Sequence, residues 1–227
     1  MLLNEVVPWG RSLAEYQLIF DLSEADLGKN ILGCGDGPAS FNSEMTAAGR
    51  RVVSIDPIYA FSPQEIQNRI EETCDTIISQ VKQNPHRYLW TYFQDPDDLG
   101  RARLSVMRDF LQDFEIGLAV GRYLPAALPS LPFQDAQFDL CLCSHLLFLY
   151  SEQLSLEFHL ASIQELLRVA GEVRLFPLLG LDCQPSPHLV TIQEHFEGCG
   201  YNVKVRPVPY EFQRGGNQMM TLQGGQT

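Results

Sequence analysis

The segment Ile31-Leu-Gly-Cys-Gly-Asp-Gly-Pro38 constrains the fold more than any other stretch of this chain. A short apolar strand, Asn30 to Leu32, runs into three glycines at alternate positions. A helix-compatible run from Pro38 to Ala48 follows and stops at Gly49. Glycine has no side chain to hold a ligand away, so a strand, glycine loop and helix in succession present backbone amides to a bound molecule. Dinucleotide-binding loops use GxGxxG, with the third glycine at the helix start. Here the third glycine, Gly37, comes one place early and Pro38 takes the dinucleotide position. That spacing disfavours NAD and FAD, and with them a nicotinamide oxidoreductase. A second apolar strand, Val52 to Ile55, ends at Asp56, nineteen residues beyond Gly37. A carboxylate there accepts two hydrogen bonds from a ribose diol, the pairing a nucleotide-like cofactor needs.

Strand-like and helix-like segments alternate along the rest of the chain, the pattern of a parallel sheet covered by helices. Ser12 with Glu15 makes a capping box for an opening helix. Ser62, Pro63 and Glu65 start a long helix whose apolar positions Ile66, Ile70, Cys74, Ile77, Ile78 and Val81 recur at helical spacing until Pro85. A second long helix opens at Asp95–Pro96, with Asp97 and Asp98 in its positive first turn. Leu99, Val106, Met107, Phe110, Leu111 and Phe114 give it an apolar face, and Gly117 is read as its end. Strands are expected at Gly121 to Ala127, Phe138 to Ser144 and Val173 to Pro177. Helices are expected through Ile163 to Val169 and from Ser186–Pro187 to about Cys199. The tail, Asn202 to Leu222, reads as two strands joined by the turn Arg214–Gly215–Gly216–Asn217. Pro207 and Pro209 put the first of these at a sheet edge, where a missing N–H costs least. Residues 1–227 are read as one α/β domain with a helical insertion at about 59–116.

The formal net charge of −12 repels polyanions at long range, which argues against a nucleic-acid partner. The six cysteines show no CxxC pair and the five histidines no HxxxH pattern, so neither a metal site nor a disulfide framework is expected. The start, MLLNEVVPWGRSL, lacks the basic and apolar segments of a signal peptide. The most apolar run, Leu140 to Tyr150, is too short to span a bilayer. A cytoplasmic protein with no membrane partner is the expectation.

Taken together, Ile31-Leu-Gly-Cys-Gly-Asp-Gly and Val53-Ser-Ile-Asp56 resemble the first two cofactor motifs of class I S-adenosylmethionine-dependent methyltransferases. Leu131-Pro-Phe-Gln-Asp-Ala-Gln-Phe-Asp-Leu-Cys-Leu-Cys-Ser144 is similar to that family's fourth-strand region, and Glu165-Leu-Leu-Arg-Val169 to the helix before its fifth strand. The resemblance covers roughly Leu27 to Pro177. It implies a Rossmann-like, seven-stranded, mainly parallel sheet with helices on both faces and a C-terminal antiparallel hairpin. It also implies S-adenosylmethionine as cofactor. Gly33, Gly35 and Gly37 would line its methionine end, and Asp56 would hold the ribose. Pro57 or Ile58 would pack on the adenine, with Ala127 and Leu128 at the adenine edge, while Ser144 and His145 would face the sulfonium and the acceptor. The chain departs from the family in two places. Ile31 stands where an acid often recognises the cofactor's amino group, a task that then falls to Asp36 or to water. Ala170–Gly171–Glu172 replaces the usual Lys-Pro-Gly-Gly turn.

His145 is the candidate general base for an acceptor that must lose a proton; otherwise it shapes the pocket or caps the strand. Cys141 and Cys143 share one strand face and read as packing. Tyr88, Trp90, Tyr92 and Phe93 read as core, with a substrate pocket as the alternative. Arg101, Arg103 and Arg108 read as a solvated helix face beside Asp97, Asp98 and Asp109, with attraction of an acidic acceptor as the alternative. The position after the fourth strand is Ser144-His-Leu-Leu, not Asn/Asp-Pro-Pro-Tyr, which argues against methylation of adenine amino groups. A small molecule or a protein side group is the expected acceptor. The competing reading is a non-catalytic protein of the same fold acting in protein–protein interaction.

Overall fold

The computed structural model describes residues 7–225; residues 1–6 and 226–227, included in the domain by the sequence reading, lie outside it. Strands β1 (Asn30–Cys34), β2 (Arg51–Ile55), β3 (Tyr123–Leu124), β4 (Phe138–Ser144), β5 (Ala170–Phe176), β6 (Asn202–Pro207) and β7 (Gln218–Gln223) form one sheet in the order β3-β2-β1-β4-β5-β7-β6. The first five pair in parallel, and β7 runs antiparallel between β5 and β6. This is the seven-stranded, mainly parallel sheet expected from the sequence, with β6 at the expected edge; it ends at Pro207, so Pro209 lies beyond it.

Helices α1 (Leu13–Phe20), α2 (Glu24–Leu27), α3 (Phe41–Ala47), α4 (Pro63–Gln83), α5 (Pro96–Ala119), α6 (Leu156–Val169) and α7 (Leu189–Gly198) surround the sheet. The two-residue period of the strands sorts the core into two layers. Leu32 and Cys34 of β1 share a cluster with Cys141 and Cys143 of β4 and with Ile163 and Leu166 of α6 and Ile192 and Phe196 of α7. Ile31, Leu140 and Leu142 belong to the opposite layer, packed with Tyr16 and Phe20 of α1 and Phe41 of α3. Ile31 is therefore a core residue, 1% exposed. Each such apolar side chain contributes roughly 1.5–3 kcal/mol on burial.

Both capping boxes form as expected, Ser12 with Glu15 and Ser62 with Glu65, the latter with Pro63 in the first turn. Boundaries shift where proline or packing intervenes. The expected strand from Gly121 to Ala127 shrinks to two residues, since only Ser54 and Ile55 pair with it and Pro125 has no N–H to continue the ladder. Helix α5 runs through Gly117, which a Tyr123 ring covers so closely that a Cβ there would lie 2.3 Å from it; the chain turns at Gly121 instead, at φ +77°. Between β6 and β7 the expected glycine turn sits at the tip of a longer connection, residues 208–217.

The segment between β2 and β3 brings an aromatic cluster: Tyr59, Ile66 and Ile70 pack with Met107, Phe110 and Phe114 and with Tyr123 of β3. Arg101 and Arg108 are solvated, but Arg103 is not. It is 1% exposed and lies on the inner stripe of α5 with Leu99, Met107 and Phe110. Both its Nη atoms donate to the Glu15 carboxylate of α1, and Nη1 also donates to the Gly10 carbonyl. The reading of Arg103 as a surface residue is thus corrected: helical period placed it inward, and a buried carboxylate neutralises it. The α4–α5 connection is stitched to the β6–β7 connection by two backbone bonds, Leu89 N–H to the Phe212 carbonyl at 2.8 Å and Arg214 N–H to that of Arg87 at 2.9 Å.

Candidate active site

A cavity of about 750 Å³ opens at the carboxyl ends of β1, β2 and β4, within the range of ligand sites, ~300–1,000 Å³. Its floor is the glycine loop. Gly35 and Gly37 take left-handed φ angles of +67° and +55°, which only glycine adopts without strain. A Cβ on Gly35 would also lie 2.7 Å from the Leu146 side chain. The Gly35 N–H is fixed by the Ile55 carbonyl at 2.9 Å, which ties the loop to the end of β2.

Asp56 follows β2 and lines the cavity. Its Oδ2 accepts the Gly37 N–H and its Oδ1 the Ile58 N–H, both at 2.9 Å. A carboxylate has about four lone-pair sites, so one on each oxygen stays open. Withdrawal from water raises its pKa, opposed by those two amides. Pro57, Ile58, Ala127 and Leu128 line the same cavity.

Asp36 is almost fully buried. Its Oδ1 accepts from the Tyr16 hydroxyl at 2.7 Å and Oδ2 from the Ser54 hydroxyl at 2.6 Å. Burial pushes its pKa up to about 7, with Asp56 adding to the shift and both hydroxyls opposing it. Gly33 does not line the cavity. It makes room for Asp36, whose Oδ2 lies 1.9 Å from where a Cβ on Gly33 would stand.

Arg11 and Tyr16 also line the cavity, and the sequence reading did not single out either as a site residue. A Cβ on Gly10 would lie 2.0 Å from the Pro38 carbonyl oxygen, so the segment leading into α1 passes hard against the glycine loop and brings Arg11 with it. Nη1 of Arg11 donates to the Trp9 carbonyl at 3.0 Å, while its Nε has no partner among the described residues. Glu15 cannot serve it, since Arg103, Tyr210 and the Ser12 N–H already use its carboxylate. Burial and the neighbouring Arg103 lower the Arg11 pKa to about 10, so it stays charged at neutral pH. The sequence signal is thin: an arginine one residue before a capped helix, with a glycine beside it.

Ser144 ends β4, and His145 turns away from it at φ +53°, with its N–H on the Phe176 carbonyl at 2.6 Å. Ser144 Oγ and His145 Nδ1 are 2.7 Å apart. Burial, then Arg11 and Arg103, holds the imidazole pKa well below its usual value, so His145 is neutral at pH 7. Of the aromatic run between α4 and α5, only Tyr88 lines the cavity; Phe93 is core, and Trp90 stands edge-on to Phe212. Among the described residues, no group of three or more His, Cys, Asp or Glu is placed to hold a metal ion, and no helix is long and apolar enough to cross a membrane.

No protein-family model matches the chain. It is 30% identical over 221 residues to the uncharacterized protein MJ0045 of Methanocaldococcus jannaschii, covering 97% of both chains. Magnesium protoporphyrin IX methyltransferase of Synechocystis PCC 6803, crystallised with SAH, superposes with a TM-score of 0.51 at 13% identity, over 93% of this chain and 81% of that one. At that identity the likeness speaks for the fold. The chain therefore belongs to one family with MJ0045, and its fold is that of the class I S-adenosylmethionine-dependent methyltransferases.

Proposed function

We propose that the chain transfers a methyl group from S-adenosylmethionine, held in this cavity, to a small molecule or protein side group. One observation carries the reading: a single cavity gathers a left-handed glycine loop, a strand-end carboxylate with one open site on each oxygen, a buried guanidinium, and a second carboxylate that accepts from Tyr16. These match the parts of the cofactor one for one. Gly35 and Gly37 would admit the methionine end, with Gly33 acting through Asp36 and not by contact. Arg11 would take the carboxylate, and Asp36 would take the ammonium in place of the acid absent at position 31. Asp56 would accept both ribose hydroxyls, with Pro57 and Ile58 on the adenine face and Ala127 and Leu128 at its edge.

When bound, S-adenosylmethionine supplies an electrophilic methyl group to an acceptor lone pair, the sulfur keeping the electrons of the broken C–S bond. The chain contributes position, which supplies most of the rate of such an in-line displacement. Ser144 orients the His145 ring. With Nδ1 donating to Ser144 Oγ, the Nε2 lone pair is left to take the acceptor's proton. A weak base suffices there, because a hydroxyl or amine becomes much more acidic once its heteroatom carries the new methyl group. The segment between β2 and β3 adds Phe61, Ile66 and Tyr88 to the cavity lining. Calorimetry with S-adenosylhomocysteine tests the reading: one site per chain is expected, and no heat and no thermal shift at millimolar ligand would rule it out.

A further inference from the structure

Resting on that reading, we infer that the acceptor is an uncharged small molecule with an apolar or aromatic body, received in the part of the cavity beyond Ser144 and His145. Trp9, Tyr150, Phe158, Phe176, Tyr210 and Phe212 line the cavity, and the Phe176 ring stands edge-on to both His145 and Tyr210. They come from the segment before α1, the turn after β4, helix α6, the end of β5 and the β6–β7 connection. Five separate parts of the chain thus converge on one chamber, and the backbone bonds between residues 87–89 and 212–214 fix one of its walls.

Three polar side chains of these walls are engaged, at least in part. The Tyr210 hydroxyl donates to Glu15, and the Tyr150 hydroxyl accepts the Val7 N–H. Gln213 spends its amide nitrogen on the Gly180 carbonyl at 2.7 Å. That leaves the Tyr150 O–H as a donor, and the Gln213 carbonyl oxygen and the neutral His145 imidazole to meet one N–H or O–H on the acceptor. The formal charges of the lining have other partners: Arg11, close enough to act on His145, is assigned the cofactor's carboxylate, Asp36 its ammonium and Asp56 its ribose, while Glu65, Arg69 and Glu72 stand on the exposed face of α4. With the cofactor's carboxylate on Arg11, an ion in the chamber would find no free counter-charge, and burying an unpaired ion is strongly unfavourable. An apolar body, by contrast, gains from leaving water.

The test loads the protein with S-adenosylhomocysteine and titrates it at pH 7 with 2-naphthol, which is neutral, and with 2-naphthoate, which is anionic. Saturable binding of 2-naphthol at one site per chain is expected, at least tenfold tighter than 2-naphthoate. Leu149→Arg, in the same lining, should weaken 2-naphthol at least tenfold and leave S-adenosylhomocysteine affinity within twofold; Leu149→Trp, which fills space without adding charge, should weaken it too. Equal or tighter naphthoate binding overturns the inference, as does no saturable naphthol binding to the loaded protein, or naphthol binding that neither variant changes. Failure of S-adenosylhomocysteine itself to bind overturns the cofactor reading, and this inference with it. Radiolabelled methyl groups recovered from a lysate in precipitated protein, with none in the organic extract, would also overturn it.

Discussion

Replacing Asp56 separates the ribose assignment from the residue's structural work, because the carboxylate does two jobs at once. It holds the Gly37 and Ile58 amides, and its two remaining lone-pair sites are the ones assigned to the ribose hydroxyls. In Asp56→Ala both sets of bonds go. Each hydrogen bond to a charged group is worth about 1.5–3 kcal/mol, so loss of even one of the two ribose bonds weakens binding roughly ten- to a hundred-fold. The two amides, left without an acceptor, should also lower thermal stability. Asp56→Asn keeps one oxygen and turns the other into a donor, which then opposes one of the two amides but still donates to a ribose oxygen. It should lose stability nearly as Ala does, and affinity less. Calorimetry with S-adenosylhomocysteine, beside thermal melts of the free proteins, reads both quantities. If Asp56→Ala melts lower yet binds S-adenosylhomocysteine within twofold of the parent, the carboxylate only braces the loop and the ribose assignment is wrong.

Three other perturbations follow from the same geometry. The Asp36 pKa is raised to about 7 in the fold against about 3.9 unfolded, so the folded state holds the extra proton between those values. Its contribution is therefore lost as pH rises from about 4 to about 7; Asp36→Asn should be spared this loss in urea melts across that range, and a parallel pH dependence in parent and variant would refute the shift. If ionised Asp36 binds the cofactor's ammonium, S-adenosylhomocysteine affinity should fall by up to about tenfold per pH unit below 7, and Asp36→Asn should flatten that profile. Glu15→Ala leaves Arg103 buried without its partner, a loss of about 3–5 kcal/mol, and Glu15→Leu with Arg103→Met should recover most of it; a double variant no more stable than the single one would contradict this. Gly33→Ala pushes a methyl group into Asp36 and should cost about 1–3 kcal/mol and weaken S-adenosylhomocysteine, whereas Gly171→Ala, whose Cβ would meet nothing nearer than 3.5 Å, should be close to neutral in both assays.

The fold was legible where a strand is buried on both faces or a helix carries its own start signal. β1 and β4 are continuous apolar runs because helices cover both sides of the sheet, and α1 and α4 begin at capping boxes written in three or four residues. β3 was overread, since Tyr123 and Leu124 look like part of a longer strand until Pro125 is counted as a missing donor. Arg103 was misread on composition: among aspartates it looked solvated, yet its place four residues after Leu99 and four before Met107 put it on the inner stripe. In the cavity lining, Gly35, Gly37 and Asp56 declare themselves by spacing, because one strand–loop–helix–strand unit carries them all. Arg11 and Tyr16 do not, since what makes them site residues is the approach of Gly10 to Pro38, a contact between segments that no local pattern encodes.

The place of β7 has a consequence for how the protein is made. Although it is the latest strand in sequence, it lies inside the sheet, paired with β5 on one side and β6 on the other. Until residues 218–223 leave the ribosome, β5 presents an open edge and β6 has nothing to pair with. Nascent chains already holding the glycine loop and Asp56 would thus carry an exposed strand edge, the surface most prone to pairing with a second chain. Tyr210 and Phe212 emerge only shortly before β7, so the proposed acceptor chamber and the sheet are completed almost together. A protein truncated before β7 should therefore aggregate rather than persist as a smaller, cofactor-binding domain.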